Sequence, residues 1–270
     1  MARRRANSGS DEAKVGDDDR LYRAPALEKG LDVLELLARE EKALTVSAIV
    51  QRLGRSTGEL FRMIHVLEHR GFLAQAPAGE GYLLTTKLFE MGLERPSIRN
   101  LVEIAIPIMR RLSDDIGQSC HLALPSRGHI VVVARMESRE QIGFSVRVGY
   151  RQPIHLTASG AVLYAFQPSE VRAQWEGMLD PMPDGRALEE FRARCDDVRA
   201  RGYLQVPSAF IAGITDISVP VLRGDLAAAA LSIPFVRSTG QQMPTKDVAQ
   251  HARDAAKEIS GELLHGDGRI

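Results

Sequence analysis

Three short stretches with a helical spacing of apolar residues follow one another near the start of the chain. The first covers residues 26–39, and the second begins after Thr45, a residue type that caps helices. Ser56 and Glu59 have the spacing of a capping box at the start of the third, over residues 56–70. One face of this third helix holds four apolar residues that we predict to point inward: Leu60, Phe61, Ile64 and Leu67.

The second and third predicted helices are separated only by Gly54 and Arg55, as in helix-turn-helix units. Two short strands follow around a polar loop, at residues 72–74 and 82–85. This order is typical of a winged helix-turn-helix domain that binds DNA, which we assign to residues 23–87. A winged helix that contacts another protein is the alternative, because acidic residues nearly balance the basic ones here.

A recognition helix places the exposed residues of its first turns in the major groove of DNA. We therefore predict that double-stranded DNA is a partner and that seven residues contact it: Arg52, Arg55, Ser56, Thr57, Gly58, Glu59 and Arg62. Arg52 and Arg55 suit phosphates, and Arg62 suits guanine or a phosphate. Glu59 suits the amino group of cytosine, if its capping role leaves the carboxylate free.

The apolar spacing is again helical over residues 88–116, interrupted by Pro96 and Pro107. Pro96 marks the expected domain boundary, and we predict a linker helix region here. Beyond it, short β-branched segments alternate with helical ones, which predicts an α+β domain with an antiparallel sheet over residues 117–267. Its predicted strands cover residues 120–124, 130–136, 144–148, 217–222 and 226–236, and its predicted helices cover residues 157–166, 169–179, 187–201 and 245–264.

Composition narrows the class of protein. The chain of 270 residues is 44% hydrophobic and 26% charged with a formal net charge of zero, so any DNA contact must come from a local surface. Cys120 and Cys195 lack the spacing of a zinc or redox motif. No apolar run is long enough to cross a membrane, and we expect a cytoplasmic protein without a membrane partner. For residues 1–22 we predict a disordered tail, with a basic arm that reaches DNA as the alternative.

Several short sequence motifs resemble those of a known protein family. They cover residues 26–34, 53–57 and 67–73 in the first half and residues 149–160, 201–203, 217–221 and 229–232 in the second. In order and spacing they resemble the IclR family of bacterial transcriptional regulators, over about residues 24–259. The resemblance implies a winged helix-turn-helix joined to a GAF-like domain that binds a small organic effector. It also implies a homodimer or dimer of dimers on a palindromic operator, and no cofactor.

The resemblance further implies an effector pocket at the sheet, lined by Gly160, Ala161, Asp216 and Ser232. To these we add polar residues of neighbouring segments: Ser119, His121, Arg135, Ser145, Arg147, His155, Thr157 and Ser159. Arg135 and Arg147 carry the guanidinium group that clamps a carboxylate. Asp216 stands where the family often has cysteine, and its charge repels a carboxylate ligand unless it is protonated or paired.

An enzyme is the alternative function for the second domain. Cys120 and His121 suggest a hydrolase or thiol enzyme with a cysteine nucleophile. Adjacent residues of a strand point to opposite faces of the sheet, so these two side chains cannot act on each other directly. The histidines and Asp216 have no regular metal-ligand spacing, and we expect neither catalysis nor a metal site.

Overall fold

The computed structural model describes residues 24–77, 79–94, 96–140, 143–179, 181–237 and 243–266. It divides the chain into two compact units, the first ending at Glu94. The tail predicted for residues 1–22 lies outside the described residues.

The first unit is a small helical domain with a two-stranded hairpin. Its helices and strands are α1 (Pro25–Leu37), α2 (Val46–Leu53), α3 (Thr57–His69), β1 (Leu73–Gln75), β2 (Tyr82–Leu84) and α4 (Lys87–Leu93). Between α2 and α3 the chain reverses at Gly54, whose φ of 62° lies in the left-handed region that favours glycine. Val33, Ile49, Leu60 and Ile64 from the three first helices form its buried core.

One predicted inward residue of α3 points outward. Leu60 and Ile64 are 0% and 1% exposed, and Leu67 is half-buried, but Phe61 is 49% exposed. The prediction for Phe61 is wrong because the inward stripe of α3 is narrow. Residue 61 is displaced from Leu60 by ~100° around the helix axis, which carries its ring past the edge of that stripe.

The hairpin is fixed to the helices at one close approach. Leu44 and Tyr82 exchange backbone hydrogen bonds at 3.1 Å and 2.8 Å. A Cβ atom on the neighbouring Gly81, whose φ is 102°, would lie only 2.6 Å from the Leu44 carbonyl carbon. Glycine is therefore required at this position, which holds the wing of the winged helix against the loop before α2.

The second unit contains a six-stranded antiparallel sheet in the order β5-β4-β3-β8-β7-β6. Its strands are β3 (Cys120–Ser126), β4 (His129–Met136), β5 (Arg151–Pro153), β6 (Leu204–Pro207), β7 (Ile214–Arg223) and β8 (Leu226–Val236). Its helices are α5 (Pro96–Ile116), α6 (Ala158–Ala165), α7 (Ser169–Glu176), α8 (Gly185–Arg201) and α9 (Thr245–Gly266). The predicted α+β architecture is confirmed.

The two faces of this sheet have different partners. On one face, alternate apolar residues of β7 and β8 such as Ile217, Val219 and Leu231 pack with α5 and α9. On the other face, α6 lies on the sheet and α8 packs on α6. Ser218 and Ser232 lie between these apolar residues along the strands and point to this second face, where they line a cavity.

The edge of the sheet differs from the prediction at two places. Residues 144–148 alternate like a strand but are irregular, so that prediction is wrong. The chain rejoins β4 only after a turn at Gly149, whose φ is 84°, with hydrogen bonds between Gly149 and Val132 and between Val132 and Tyr150. The edge strand β5 follows at Arg151–Pro153, and β6 at the opposite edge was not predicted.

Candidate functional sites

The first candidate site is the N-terminal turn of α3. The Glu59 carboxylate accepts hydrogen bonds from the backbone N–H of Ser56 at 3.0 Å and from its hydroxyl at 2.9 Å. Lys29 of α1 lies 2.8 Å from the other carboxylate oxygen. The hydrogen bond with Lys29, followed by those with Ser56, lowers the pKa of Glu59 to about 2. Glu59 thus fixes α3 to α1 and is occupied on both oxygens.

The outer face of α3 is open to solvent, with Glu59 as the acidic residue of its first turn. It exposes Thr57, Gly58, Phe61, Arg62 and His65. A Cβ atom added at Gly58 would meet no atom within 4 Å, so the surface there is open. The Phe61 ring stands edge-on to His65 with 4.5 Å between the ring centroids. The first turn of this face therefore carries little side-chain bulk at Gly58, and the next turn exposes the guanidinium of Arg62 and the ring of Phe61.

Arg52 and Arg55 flank the turn before α3. Arg55 forms an ion pair with Asp32 of α1 at 2.8 Å, and Arg52 pairs with Glu40. Both guanidinium groups are partly exposed, and exposed ion pairs contribute only about 0–1 kcal/mol. An approaching phosphate therefore competes with weak partners for these two arginines.

The second candidate site is a cavity of about 240 Å³ on the second face of the sheet. Its floor is formed by β3, β8 and β7, and the first turn of α6 contributes Thr157, Ala158 and Ser159. Residues 144–147, which precede β5, and residues 208–211, which join β6 to β7, form its remaining walls. The irregular stretch predicted as a strand is therefore a wall of the cavity.

Three polar residues form a row across the cavity floor. His121 of β3 pairs in register with Ser232 of β8, which pairs with Ser218 of β7. The Ser218 and Ser232 hydroxyl oxygens lie 2.7 Å apart and share a hydrogen bond. Because neighbouring strands are ~4.8 Å apart, the row extends across most of the width of the floor.

His121 brings an unpaired polar atom into this floor. Its side chain is buried, and its Nδ1 atom has no hydrogen-bond partner among the described residues. Burial lowers the pKa of His121 to about 4, so the imidazole is neutral at neutral pH. A buried polar atom without a partner costs free energy, and a ligand that bonds to it recovers that cost.

Asp216 lies on the same face of β7 as Ser218, two residues along the strand. Its carboxylate accepts a hydrogen bond from Ser208, but burial has the larger effect and raises its pKa. Its charge is felt by Tyr150, another lining residue, whose pKa is raised by burial and, to a smaller extent, by Asp216. On this side of the cavity, the Asp216 carboxylate can accept hydrogen bonds from a ligand.

The structure brings only part of the predicted pocket together. The predicted residues that line the cavity are His121, Ser145, Arg147, Thr157, Ser159, Asp216 and Ser232. Sequence reasoning missed Tyr150, Ser208 and Ser218. Of these, Ser218 could have been predicted from the sequence, because it lies two residues after Asp216 on one strand and therefore points to the same face of the sheet.

Five predicted residues are not among those that line the cavity. The Ser119 hydroxyl accepts a hydrogen bond from Ser138 N–H at 3.0 Å, and Arg135 pairs with Glu137 at 2.8 Å. His155 is buried beside Phe191, edge-on at 6.5 Å. Ala161 belongs to the apolar core, and a Cβ atom on Gly160 would come within 1.9 Å of the Ile154 carbonyl oxygen: these two let α6 pack closely.

Cys120 faces away from this cavity. It is buried on the α5 face, where its thiol lies 3.6 Å from the Met109 carbonyl oxygen, and burial raises its pKa to about 12. A thiol with such a pKa supplies almost no thiolate at neutral pH. The described residues also contain no group of three or more metal-ligating side chains, and none of their helices is long and apolar enough to cross a membrane.

Both units match models of one protein family. Residues 26–77 match the IclR helix-turn-helix domain, and residues 96–261 match the family described as "Bacterial transcriptional regulator IclR C-terminal". The HTH-type transcriptional regulator KdgR of Dickeya chrysanthemi is 28% identical over 244 residues, which cover 88% of this chain and 80% of that protein. The glycerol operon regulatory protein of Streptomyces griseus is 27% identical over 251 residues, or 91% and 98% of the two chains.

A solved structure has a similar fold. It is an IclR homolog complexed with 4-hydroxybenzoate from Microbacterium hydrocarbonoxydans, with a TM-score of 0.74 and 25% sequence identity. The match covers 89% of this chain and 99% of that one.

Proposed function

Because the chain belongs to the IclR family of bacterial transcriptional regulators, we propose that α3 reads an operator and that a small organic effector in the sheet cavity controls its affinity. Proteins of this family are regulators and not enzymes, so the prediction of a non-enzyme is confirmed and the hydrolase alternative has no support. The observation that carries the proposal is the pairing of an open recognition helix with a cavity that contains an unpaired buried histidine.

The DNA-binding part of the proposal is supported by the surface of α3. Thr57, Gly58 and Arg62 are exposed at the turns that enter a major groove in helix-turn-helix proteins. Arg52, Arg55 and Ser56 lie beside them and are the residues we propose for phosphate contacts, and we propose that Glu59 positions the helix through Lys29 and Ser56. Its engagement with Lys29 and Ser56 favours this capping role over the predicted cytosine contact.

The effector part is supported by the size and lining of the cavity. A volume of about 240 Å³ exceeds the ~150 Å³ that holds a benzene molecule in an apolar protein cavity, so a single-ring compound fits. Ile130, Val146 and Phe210 supply apolar contacts, while His121, Ser232 and Asp216 supply polar ones. The structural neighbour that binds 4-hydroxybenzoate makes monocyclic aromatic compounds the first class to test.

The assembly follows from the helix and from symmetry. One α3 reads only a few base pairs, and a two-fold symmetric dimer places two such helices in successive major grooves of a palindrome. Leu27 and Leu31, one helical turn apart on α1, are 63% and 48% exposed and offer an apolar patch for a second copy. We propose a homodimer or a dimer of dimers that acts on chromosomal DNA in the cytoplasm.

The test is a two-step binding experiment on the full-length chain. Selection from random double-stranded DNA yields the preferred sequence, and fluorescence anisotropy then measures its affinity with and without 4-hydroxybenzoate and related single-ring compounds. We expect a palindromic sequence, an affinity that decreases with salt, and a change in affinity with at least one compound. Failure to enrich any sequence would contradict the DNA-binding half, and enrichment without any ligand effect across the compounds would contradict the effector half.

A further inference from the structure

The Asp216 side of the cavity presents a carboxylate with few protein partners. Within the described part of the chain, a single hydrogen bond, from Ser208, is made to this carboxylate, and no ion pair compensates it. Arg147, the arginine among the residues that line the cavity, is exposed to solvent. The serine hydroxyls of the floor bond to each other across 2.7 Å and are not committed to Asp216.

The floor also separates Asp216 from the other polar centre. Asp216 and Ser218 are ~6.7 Å apart along β7, and His121 lies two strands away, a further ~10 Å across the sheet. A single-ring ligand that fills the cavity therefore meets Asp216 with one end only. That end determines whether the carboxylate gains a partner or meets another negative charge.

We propose that Asp216 selects effectors that present a hydrogen-bond donor, a hydroxyl or an amino group, and that it excludes ligands with a carboxylate at that end. This inference rests on the proposed effector function and specifies the ligand class of the same cavity. A donor that bonds to an ionised carboxylate gains more than one that bonds to a neutral group. A ligand carboxylate at this end would meet a partly desolvated carboxylate of the same charge.

The test uses four probes of similar size that differ in one group: phenol, aniline, toluene and benzoate. Their dissociation constants are measured without DNA by isothermal titration on the full-length wild-type chain and on Asp216→Asn. We expect phenol and aniline to bind the wild-type protein about ten- to a hundredfold more tightly than toluene, with benzoate weakest. Asp216→Asn should reduce the preference for phenol and improve binding of benzoate, because the amide offers a donor.

Asp225→Asn is the matched control, since Asp225 is exposed in the turn between β7 and β8. It should give the wild-type order of the four probes. If Asp216→Asn fails to fold, the order of the four dissociation constants on the wild-type protein and on Asp216→Ala tests the proposal instead. Benzoate binding as tightly as phenol, an unchanged order in Asp216→Asn, or no binding of phenol and aniline would each overturn the proposal.

This outcome is separate from that of the proposed function. The probe order reports on the cavity alone, whereas the DNA experiment reports on control of the operator. A donor preference that depends on Asp216 without any ligand effect on DNA would leave this inference intact and contradict effector control. If only compounds without a hydrogen-bond donor changed the operator affinity, effector control would be supported and the donor preference of Asp216 would be contradicted.

Discussion

Lys29 of α1 and Glu59 of α3 lie 2.8 Å apart, and this ion pair joins the start of the recognition helix to α1 beside the buried core. The second carboxylate oxygen of Glu59 accepts both hydrogen bonds from Ser56, so the start of α3 is held from two directions. We therefore expect Glu59 to act as a positioning residue and its exposed neighbours to make the base contacts.

Replacing Glu59 by glutamine should lower the melting temperature slightly and leave the base preference unchanged. The substitution removes the charge that pairs with Lys29 and weakens the hydrogen bonds to Ser56. Thermal unfolding and random-sequence selection on the same protein measure the two effects. Glu80→Gln, at an exposed position of the wing loop, is the control. A changed preference at one base pair with unaltered melting would show that Glu59 reads DNA directly.

Arg62→Ala should weaken operator binding about ten- to a hundredfold without lowering the melting temperature. The Arg62 side chain is exposed and lies off the inward stripe of α3. A phosphate contact would reduce the slope of affinity against salt by about 1, and a base contact would relax the sequence preference at one position. Arg186→Ala, on an exposed position of α8, should change neither quantity. A large decrease in melting temperature would mean that the face of α3 is misassigned.

Phe61 should contact a thymine methyl group of the operator. The ring is 49% exposed, it is steadied by His65, and it lies on the side of α3 next to Arg62. Replacing the contacted thymine by deoxyuridine removes one methyl group and should weaken binding about fourfold. In Phe61→Ala the same replacement should have no effect. Equal sensitivity of both proteins at every thymine would exclude this contact.

The buried imidazole of His121 should make stability depend on pH. Its pKa is about 4 in the folded chain, against 6.5 for an unperturbed histidine, because burial disfavours the charged form. The unfolded chain therefore binds a proton first as pH decreases, and the free energy of unfolding should decrease from pH ~6.5 down to ~4. Between pH ~7.5 and ~5 this amounts to about 2 kcal/mol.

Urea unfolding at these two pH values measures the effect, with His121→Gln as the comparison because glutamine does not titrate. The decrease should be smaller in the variant by about the same amount. An identical decrease in both proteins would mean that other groups cause it and that His121 is hydrated in the folded chain.

The sequence predicted α1, α2 and α3 and their order because their apolar periodicity and caps are local signals, whereas α4 fell largely in the predicted linker region. Ser56 and Glu59 were found from spacing alone, but the role of Lys29 was not, since the contact joins two helices. Phe61 was assigned to the wrong face because a one-dimensional pattern does not show how wide the buried stripe is. Tertiary packing determines that width.

The cavity was predicted less well for a related reason. Strand parity places His121, Ser232 and Asp216 on one face of the sheet, but it does not show where a helix covers that face. Ser119, Arg135 and His155 are polar residues whose partners lie elsewhere in the fold. Residues 144–148 alternate in polarity like an edge strand, but residues 144–147 form a wall of the cavity without pairing as a strand.

The most direct test of the central claim is the operator affinity of Gly58→Glu. The structure leaves room for a side chain at Gly58, so the melting temperature should equal that of the wild-type chain. A glutamate at this position blocks the close approach of α3 to the groove and repels the phosphates. The account predicts that fluorescence anisotropy on the selected operator shows no specific binding by the variant. Unchanged affinity of a folded Gly58→Glu protein would contradict the assignment of α3 as the recognition helix.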